Sequence, residues 1–211
     1  MIDVFGTDMT CVDLNVVISE MPERNTGTHV RDLSWQGGGK VSTGICACAR
    51  LLSEVGGPDL APPRCACAAA LGDDAYGKFL YKDFADHGLN LSGVKIREGE
   101  TTSLDVVVSE TNYSTRSLLF KVGTAAPLTP EEVNWELLRQ AKYFFISGFD
   151  AVTEEGIRII QKGRKALGGT QDGAPAAGSV VSGVPKVFID ADSPSEKLLA
   201  HIPDIDIFIG S

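Results

Sequence analysis

The stretch "WQGGGKVSTGICACAR", residues 35–50, decides how the rest of this sequence is interpreted. Three glycines precede Lys40, and from Val41 to Val55 apolar residues recur at the spacing of one helix face. Glycine lets a ligand touch the main chain, and the free amides at a helix start favour oxygen-rich groups. The stretch therefore indicates a backbone site for a sugar hydroxyl or a phosphate. A glycine turn with a purely structural role stays open as the alternative.

Two familiar phosphate-binding motifs do not fit this stretch. A Walker P-loop requires Ser or Thr after its Gly-Lys pair, but this chain has Val41 there and Ser34 in place of the first glycine. A dinucleotide fingerprint that begins at Gly37 would end on Ser42, and it does not lie in the first strand-to-helix turn. These mismatches count against a P-loop enzyme and against an NAD-dependent oxidoreductase.

Around the stretch, short apolar segments that suit strands alternate with segments of helical spacing. This alternation predicts an α/β fold whose sheet is mostly parallel and is flanked by helices on both faces. The predicted strands are residues 2–6, 11–18, 28–35, 65–71, 103–109, 116–122, 143–147, 186–190 and 206–210. The predicted helices are residues 41–55, 78–87, a segment from 129, about 153–167, and 195–200.

Capping residues mark several of these helix ends. Gly88 is a stop signal, and Thr129 is a predicted N-cap with Pro130 at the first helical position and Glu132 completing a capping box. Thr153 is the predicted N-cap of the following long helix.

Some parts of the chain do not follow the alternation. Residues of about 14–36 and 95–122 carry strands without helices to cover them, the second range including a hairpin around "ETNYST". They predict a small second sheet that forms a lid on the main sheet. Residues 56–64 and 168–183 are rich in Gly, Ala and Pro, and we expect both to be mobile surface insertions.

The composition narrows the classes of function. The 211 residues are 43% hydrophobic and 22% charged, and the net charge of −9 repels the phosphates of a nucleic acid. No apolar run approaches the roughly 20 residues of a membrane span. The start, Met1-Ile2-Asp3, has no features of a secretion signal. We therefore predict a cytoplasmic protein with no nucleic-acid or membrane partner.

The five cysteines predict neither a disulfide framework nor a metal site. Their number is odd, and no secretion signal accompanies them. Two Cys-Ala-Cys pairs, at 46–48 and 65–67, lie in apolar surroundings, and the three histidines are scattered along the chain. The expected state of these cysteines is a set of small buried thiols.

Several segments, taken in order, give the chain a family resemblance. An opening strand leads to Asp13 in "FGTDMTCVDLNVV", and the glycine stretch enters a helix that ends in Ala-Arg-Leu. Then follow "LGDDAYGKFL", "GLNLSGV", "ETTSLDVVV", "FFISGF" and "DIFIGS". With this set, which spans nearly the whole chain, the sequence resembles the ribokinase-like (PfkB) carbohydrate kinase family. The resemblance implies a ribokinase-like three-layer α/β fold, with residues 1–211 as one truncated domain.

The resemblance also implies a function. Family members use ATP and Mg²⁺ to phosphorylate a hydroxyl of a sugar or nucleoside, which lies between the main sheet and the lid. By motif match, Asp13 would accept hydrogen bonds from the sugar hydroxyls. Gly38 and Gly39 would let the sugar approach the main chain, and Lys40 and Thr43 would line the floor of the site. The family usually has Asn at the position of Thr43, so the sugar is left open.

Further expectations follow from the same resemblance. The "DD" of "LGDDAYG" is expected to shape a turn and not to bind a metal. A homodimer through the lid sheet belongs to the alternative of a non-catalytic sugar-binding or scaffolding protein. The family's Asn-x-x-Glu motif would begin near Ser211, and it is not among these residues. The Gly-Ala-Gly-Asp segment, which carries the family's catalytic base and anion hole, is not among them either.

We therefore expect the N-terminal two thirds of a sugar kinase. It would have the acceptor pocket but neither the ATP site nor the base, and it would be inactive alone. No catalytic or metal-binding residue is assigned, because the expected base lies beyond Ser211. The alternatives are a non-catalytic sugar-binding or dimerising remnant, a nucleoside kinase of the same family, and an α/β enzyme of another family such as an oxidoreductase.

Overall fold

The structure is a computed structural model that describes residues 2–7, 9–56, 64–167, 183–191 and 195–210. Most of both predicted surface insertions lies outside these residues. Ser211, beyond which the catalytic base is expected, also lies outside them.

Ten strands and five α-helices make up the described fold. The strands are β1 (Ile2–Thr7), β2 (Cys11–Ile18), β3 (Asp32–Gly38), β4 (Cys65–Gly72), β5 (Val94–Arg97), β6 (Ser103–Glu110), β7 (Thr115–Lys121), β8 (Ala141–Ile146), β9 (Lys186–Ala191) and β10 (Ile207–Gly210). The helices are α1 (Lys40–Gly56), α2 (Ala75–Asp86), α3 (Trp135–Arg139), α4 (Ala151–Ala166) and α5 (Glu196–His201).

Six strands form a parallel main sheet in the order β10-β9-β8-β1-β4-β5. Side chains of β1 alternate between its two faces. Phe5 is fully buried with Leu138 of α3 and Ile157 of α4, whereas Val4 packs on the other face with Ile45 of α1. Helices therefore cover both faces, which confirms the three-layer α/β fold that the sequence predicts.

The remaining four strands form a second sheet in the order β3-β2-β6-β7. β2 pairs antiparallel with β3 and parallel with β6, and β6 and β7 form the predicted hairpin. Val12 of β2 packs with Leu71 of β4 and Leu80 of α2, and this contact attaches the second sheet to the main body. Asp13 and Asn15 lie on the other face of β2.

Three predicted boundaries are wrong. The strand predicted at 28–35 begins at Asp32 and continues to Gly38, so two of the three glycines lie in a strand and not in a loop. The helix predicted from residue 78 begins at Ala75. The range 95–122 predicted for the lid begins inside β5, which pairs with β4 at the edge of the main sheet.

Two helix starts also differ from prediction. The N-cap of α4 is Asp150, whose carboxylate accepts a 2.7 Å hydrogen bond from the Thr153 amide, so Thr153 lies inside the helix and is not its cap. The predicted capping box at Thr129 is present, with the Thr129 amide donating to Glu132 Oε2 at 2.8 Å. It begins only a short 3₁₀ turn, after which α3 starts separately.

Among the helices that the structure describes, none is both long and apolar enough to cross a membrane.

Candidate functional site

The site is built around the contact between Asp13 and Gly38. Asp13 lies on β2, and the pairing of β2 with β3 places Gln36 opposite Asp13 and Gly38 opposite Cys11. A β-carbon on Gly38 would lie 2.3 Å from Asp13 Oδ1 and 2.6 Å from its Cγ. The carboxylate therefore rests directly on the bare main chain of Gly38, and a larger residue at this position would displace it.

Position 39 requires a glycine for two reasons. Its φ is +94°, in the left-handed region that side chains disfavour, and a β-carbon there would lie 2.5 Å from the Met9 carbonyl oxygen. Ser42 Oγ donates hydrogen bonds to the carbonyl oxygens of Gly38 at 2.7 Å and Gly39 at 3.1 Å. These bonds hold the two glycines against the start of α1.

Lys40 and Thr43 follow on the first turn of α1. Lys40 is the half-buried first residue of the helix, and Thr43 is exposed. Thr43 lines a cavity of about 400 Å³ between β3, α1 and α2, and Gly38 lines it too. Asp13 is not part of that lining. The structure thus brings Asp13, Gly38 and Gly39 together, while Thr43 lines a separate space behind the glycines.

A second carboxylate stands beside Asp13. The parallel pairing of β2 and β6 places Asp105 directly opposite Asp13. The Cys11 thiol lies between them, 3.4 Å from Asp13 Oδ1 and 3.3 Å from Asp105 Oδ2. We call this part of the second sheet, formed by Cys11, Asp13 and Asp105, the acidic face.

The electrostatics of the acidic face favour hydrogen-bond donors. Burial, followed by the charges of Asp105 and Asp13, raises the pKa of Cys11, so its sulfur stays protonated and donates to a carboxylate. Removal from water raises the pKa of Asp105, and the Asp13 charge adds to this rise, while the Cys11 hydrogen bond opposes it. Two close carboxylates accept hydrogen bonds from hydroxyls and repel an anion.

A cavity of about 280 Å³ lies where the two sheets meet. Thr7 at the end of β1, Ala70 of β4 and Asp150 before α4 line it on the side of the main sheet. Met9 and Thr10, which touch the β-carbon position of Gly39, line it from the chain between β1 and β2. Gly39 therefore contacts two residues that line a space at the carboxyl ends of parallel strands, where ligands of open α/β sheets bind.

Asp73 and Asp74 have structural partners, as predicted. Asp74 caps α2 by accepting from the Gly77 amide at 2.8 Å, and its other oxygen accepts from the Thr102 amide at 3.0 Å. Asp73 accepts from the Gly99 amide at 3.1 Å. The pair joins the end of β4 to the segment that leads into β6.

A comparison with models of protein families shows which family this chain belongs to. The model of the pfkB family of carbohydrate kinases matches residues 1–210. The chain belongs to the pfkB family. The resemblance inferred from the ordered motifs is thereby confirmed, and the oxidoreductase alternative is wrong.

Curated relatives of this pfkB-family chain include sugar kinases. A probable fructokinase-3 of Arabidopsis thaliana is 30% identical over 92 residues, covering 43% of this chain and 27% of that protein. A 5-dehydro-2-deoxygluconokinase of Listeria monocytogenes is 27% identical over 148 residues, covering 69% of this chain and 41% of that protein. The chain thus matches well under half the length of these two relatives.

Solved structures share the fold. The ribokinase of Giardia lamblia superposes with a TM-score of 0.74 at 14% identity, covering 100% of this chain and 58% of that one. The Arabidopsis thaliana ribokinase solved with ribose and ATP has a TM-score of 0.69 at 20% identity, covering 100% and 60%. At these identities the likeness establishes the ribokinase-like fold, and the chain spans about three fifths of each structure.

The catalytic base of this pfkB-family chain was expected beyond Ser211, after the last strand of the main sheet. The described residues end one position earlier, at Gly210 of β10, and Ser211 lies outside them. The placement of the base beyond Ser211 therefore stays a prediction.

Asp105 is the site residue that sequence analysis of this pfkB-family chain did not single out. The segment "ETTSLDVVV" contains it, but only as an approach to the hairpin. Strand alternation could have placed Asp105 on the face of β6 that also carries Ser103. It could not have shown that this face lies beside Asp13, because that depends on the pairing of β2 with β6.

Proposed function

We propose that this chain binds the acceptor sugar of an ATP-dependent carbohydrate kinase. The whole protein would transfer the γ-phosphoryl group of ATP to a hydroxyl of that sugar. The observation that carries the proposal is the Asp13 carboxylate resting on the bare main chain of Gly38, beside Gly39 with its positive φ, at the junction of the two sheets. Membership of the pfkB family supports the reaction class.

Each residue of the site has a proposed role. Asp13 accepts hydrogen bonds from acceptor hydroxyls, which gain strength because the acceptor atom is charged. Gly38 and Gly39 allow the sugar to reach main-chain atoms that a side chain would cover. Lys40, the first residue of α1, would supply a donor to the floor of the site. Thr43 lines the separate cavity behind the glycines, so it has no proposed contact with the sugar. The second sheet would act as the lid over the bound sugar.

The described residues contribute to the acceptor side of the reaction and not to the nucleotide side. ATP supplies the phosphoryl group when it is bound. Mg²⁺ prefers carboxylate, carbonyl and water oxygens, whereas both three-residue clusters of metal-binding side chains among the described residues include a cysteine. These clusters do not fit a magnesium site. We therefore propose that these 211 residues bind acceptor without transferring phosphate.

The acidic face further defines the acceptor. Asp105 places a second carboxylate beside Asp13, opposite it on the neighbouring strand. A carboxylated or phosphorylated sugar would meet two like charges there, whereas a neutral polyol would find two sets of acceptor oxygens. We infer that the acceptor is a neutral polyhydroxy compound and that sugar acids bind more weakly.

Isothermal titration calorimetry on the full chain tests this proposal. Fructose and ribose are titrated as neutral sugars, adenosine as a nucleoside and gluconate as a sugar acid. The proposal expects saturable binding of a neutral sugar and weak or absent binding of gluconate. Binding of adenosine alone would point to the nucleoside-kinase alternative, and tight binding of gluconate would contradict the proposed role of the acidic face.

A coupled assay of ADP release separates binding from turnover. With ATP, Mg²⁺ and a sugar that binds, this chain should release ADP at the rate of a blank without protein. Sugar-dependent ADP release well above that rate would refute the assignment of these residues to the acceptor side alone.

We also propose a homodimer through the edge of the second sheet. All seven residues of β7 are exposed, and its far edge has no pairing partner among the described strands. Phe120 is 66% exposed, although such a ring normally packs against protein. Sedimentation velocity should give a dimer that Phe120→Lys dissociates. Tyr113→Lys, at the exposed hairpin turn, is the control, and a monomeric wild type would contradict this proposal.

A further inference from the structure

The cavity of about 400 Å³ between β3, α1 and α2 contains a second group of side chains that the sugar site does not use. Cys46 reaches it from α1, and Asp83 and His87 reach it from α2. A ring nitrogen of His87, a carboxylate oxygen of Asp83 and the sulfur of Cys46 all lie within 4.8 Å of one another. The three histidines are scattered along the sequence, but the packing of α1 on α2 brings His87 beside a cysteine.

The local structure directs these three side chains toward one another. Asp83 and His87 are four residues apart and share one face of α2, where His87 Nδ1 lies 2.8 Å from the Asp83 carbonyl oxygen. A metal-bound histidine commonly donates its other ring N–H to such an oxygen, which fixes the ring and leaves the second nitrogen with its lone pair. The Asp83 carboxylate reaches the bare main chain of Gly37, since a β-carbon there would lie 2.6 Å from Asp83 Oδ2.

We propose that Cys46, Asp83 and His87 bind a Zn²⁺-type transition-metal ion. A thiolate, an imidazole nitrogen and a carboxylate oxygen form a ligand set that zinc accepts, with bonds of about 2.0–2.3 Å. Ligand atoms around a tetrahedral ion at those bond lengths lie about 3.3–3.8 Å apart. The partly exposed side chains of Asp83 and His87 can rotate to close the remaining distance, and water from the cavity completes the coordination.

This site differs from the magnesium chemistry of the reaction. Mg²⁺ selects oxygen ligands, whereas a thiol and an imidazole select a softer ion. Burial and the charge of Asp83 raise the pKa of Cys46 to about 12, so metal binding replaces the thiol proton by a metal–sulfur bond and releases that proton to solvent. The bound ion would join α1 to α2 directly behind Gly38, and it would stiffen the start of α1.

Titration of the tag-free, metal-free chain with Co²⁺ and then with Zn²⁺ tests the site. Thiolate ligation of Co²⁺ gives a sulfur-to-metal charge-transfer absorption in the near ultraviolet, and Zn²⁺ should displace it. We expect one ion per chain, a Tm that rises with Zn²⁺, and at least tenfold weaker binding in Cys46→Ser and His87→Gln. Cys48→Ser, which removes a half-buried thiol from the same helix, is the matched control and should bind like the wild type.

Each other outcome overturns the proposal. It fails if the wild type shows no saturable Co²⁺ signal, or if Cys46→Ser and His87→Gln bind as the wild type does. It also fails if Cys48→Ser abolishes the signal, because another thiol would then be the ligand. Since the readouts are an absorption band and a Tm, the result does not depend on sugar binding or on kinase activity. His87 is partly exposed at the end of α2, so His87→Gln should fold even if Cys46→Ser does not.

Discussion

Replacing Gly38 by alanine tests the contact on which the sugar site depends. The new β-carbon would lie 2.3 Å from Asp13 Oδ1, 2.6 Å from Cγ and 2.8 Å from Oδ2, whereas ordinary contacts of this kind begin at 3.4 Å. The carboxylate or the strand must therefore shift by about 1 Å. Overpacking costs about 1–3 kcal/mol, and we expect the lower part of this range, because the atoms in the way belong to the end of the Asp13 side chain, which moves more easily than main chain. In a chain of this size, each kcal/mol lost from the free energy of unfolding lowers Tm by about 2–4 °C.

A double-mutant cycle shows whether the cost comes from Asp13. In an Asp13→Ala background no carboxylate stands in the way, so Gly38→Ala should cost at least about 1 kcal/mol less in urea unfolding. Gly27→Ala is the matched control, because a β-carbon there meets nothing within 4 Å. The reasoning is refuted if Gly38→Ala destabilises both backgrounds equally, within about 0.5 kcal/mol.

Three other substitutions test the electrostatics of the fold. Burial raises the pKa of Asp74, but hydrogen bonds from two main-chain amides outweigh the effect of burial, so the net pKa is lowered. The charged Asp74 side chain therefore stabilises the fold fully at neutral pH, and this stabilisation is lost as the pH falls through the lowered pKa. Asp74→Asn should therefore cost about 0.5–2 kcal/mol at pH 7 and less in acid, measured by urea unfolding across pH. Removal from water is the main reason why the pKa of Asp105 is raised, so the charged form of Asp105 destabilises the fold. Asp105→Asn should therefore raise Tm at pH 7. This gain in Tm should shrink as the pH falls through the raised pKa. Arg164 is buried and pairs with Asp206, so Arg164→Ala should cost about 3–5 kcal/mol in urea unfolding, against little for the exposed neighbour in Lys165→Ala.

Elements with a strong side-chain pattern were predictable from the sequence. β4 is an uninterrupted run of small apolar residues, and α1 repeats apolar residues along one face, so both were recognised with nearly correct ends. β5 is a four-residue edge strand with two basic residues, and a strand at the edge of a sheet need not be apolar. The end of β3 was read as a loop because glycines carry no side-chain signal for a strand.

Part of the candidate site, Asp13 with the glycine pair, could be predicted from the sequence, whereas the residues that join it through packing could not. Asp13 and the glycine pair were recognisable because glycine has a physical meaning at a helix start and because the motifs follow a family order. Asp105 and His87 were not recognisable in the same way, since each becomes part of a cluster only through strand pairing or helix packing between distant residues. Periodicity shows which face a residue occupies, but not what lies opposite that face.

Calorimetric titration of a neutral sugar into the wild type and Asp13→Asn tests the central claim most directly. Asparagine keeps the size of the side chain and removes its charge, so the charge-assisted hydrogen bonds, worth about 1.5–3 kcal/mol, should be lost. We expect about 10- to 150-fold weaker binding in Asp13→Asn, and unchanged binding in Asp32→Asn, which removes an equal charge from an exposed position of β3. Equal affinity of Asp13→Asn and the wild type, or no sugar binding by the wild type, would contradict the account.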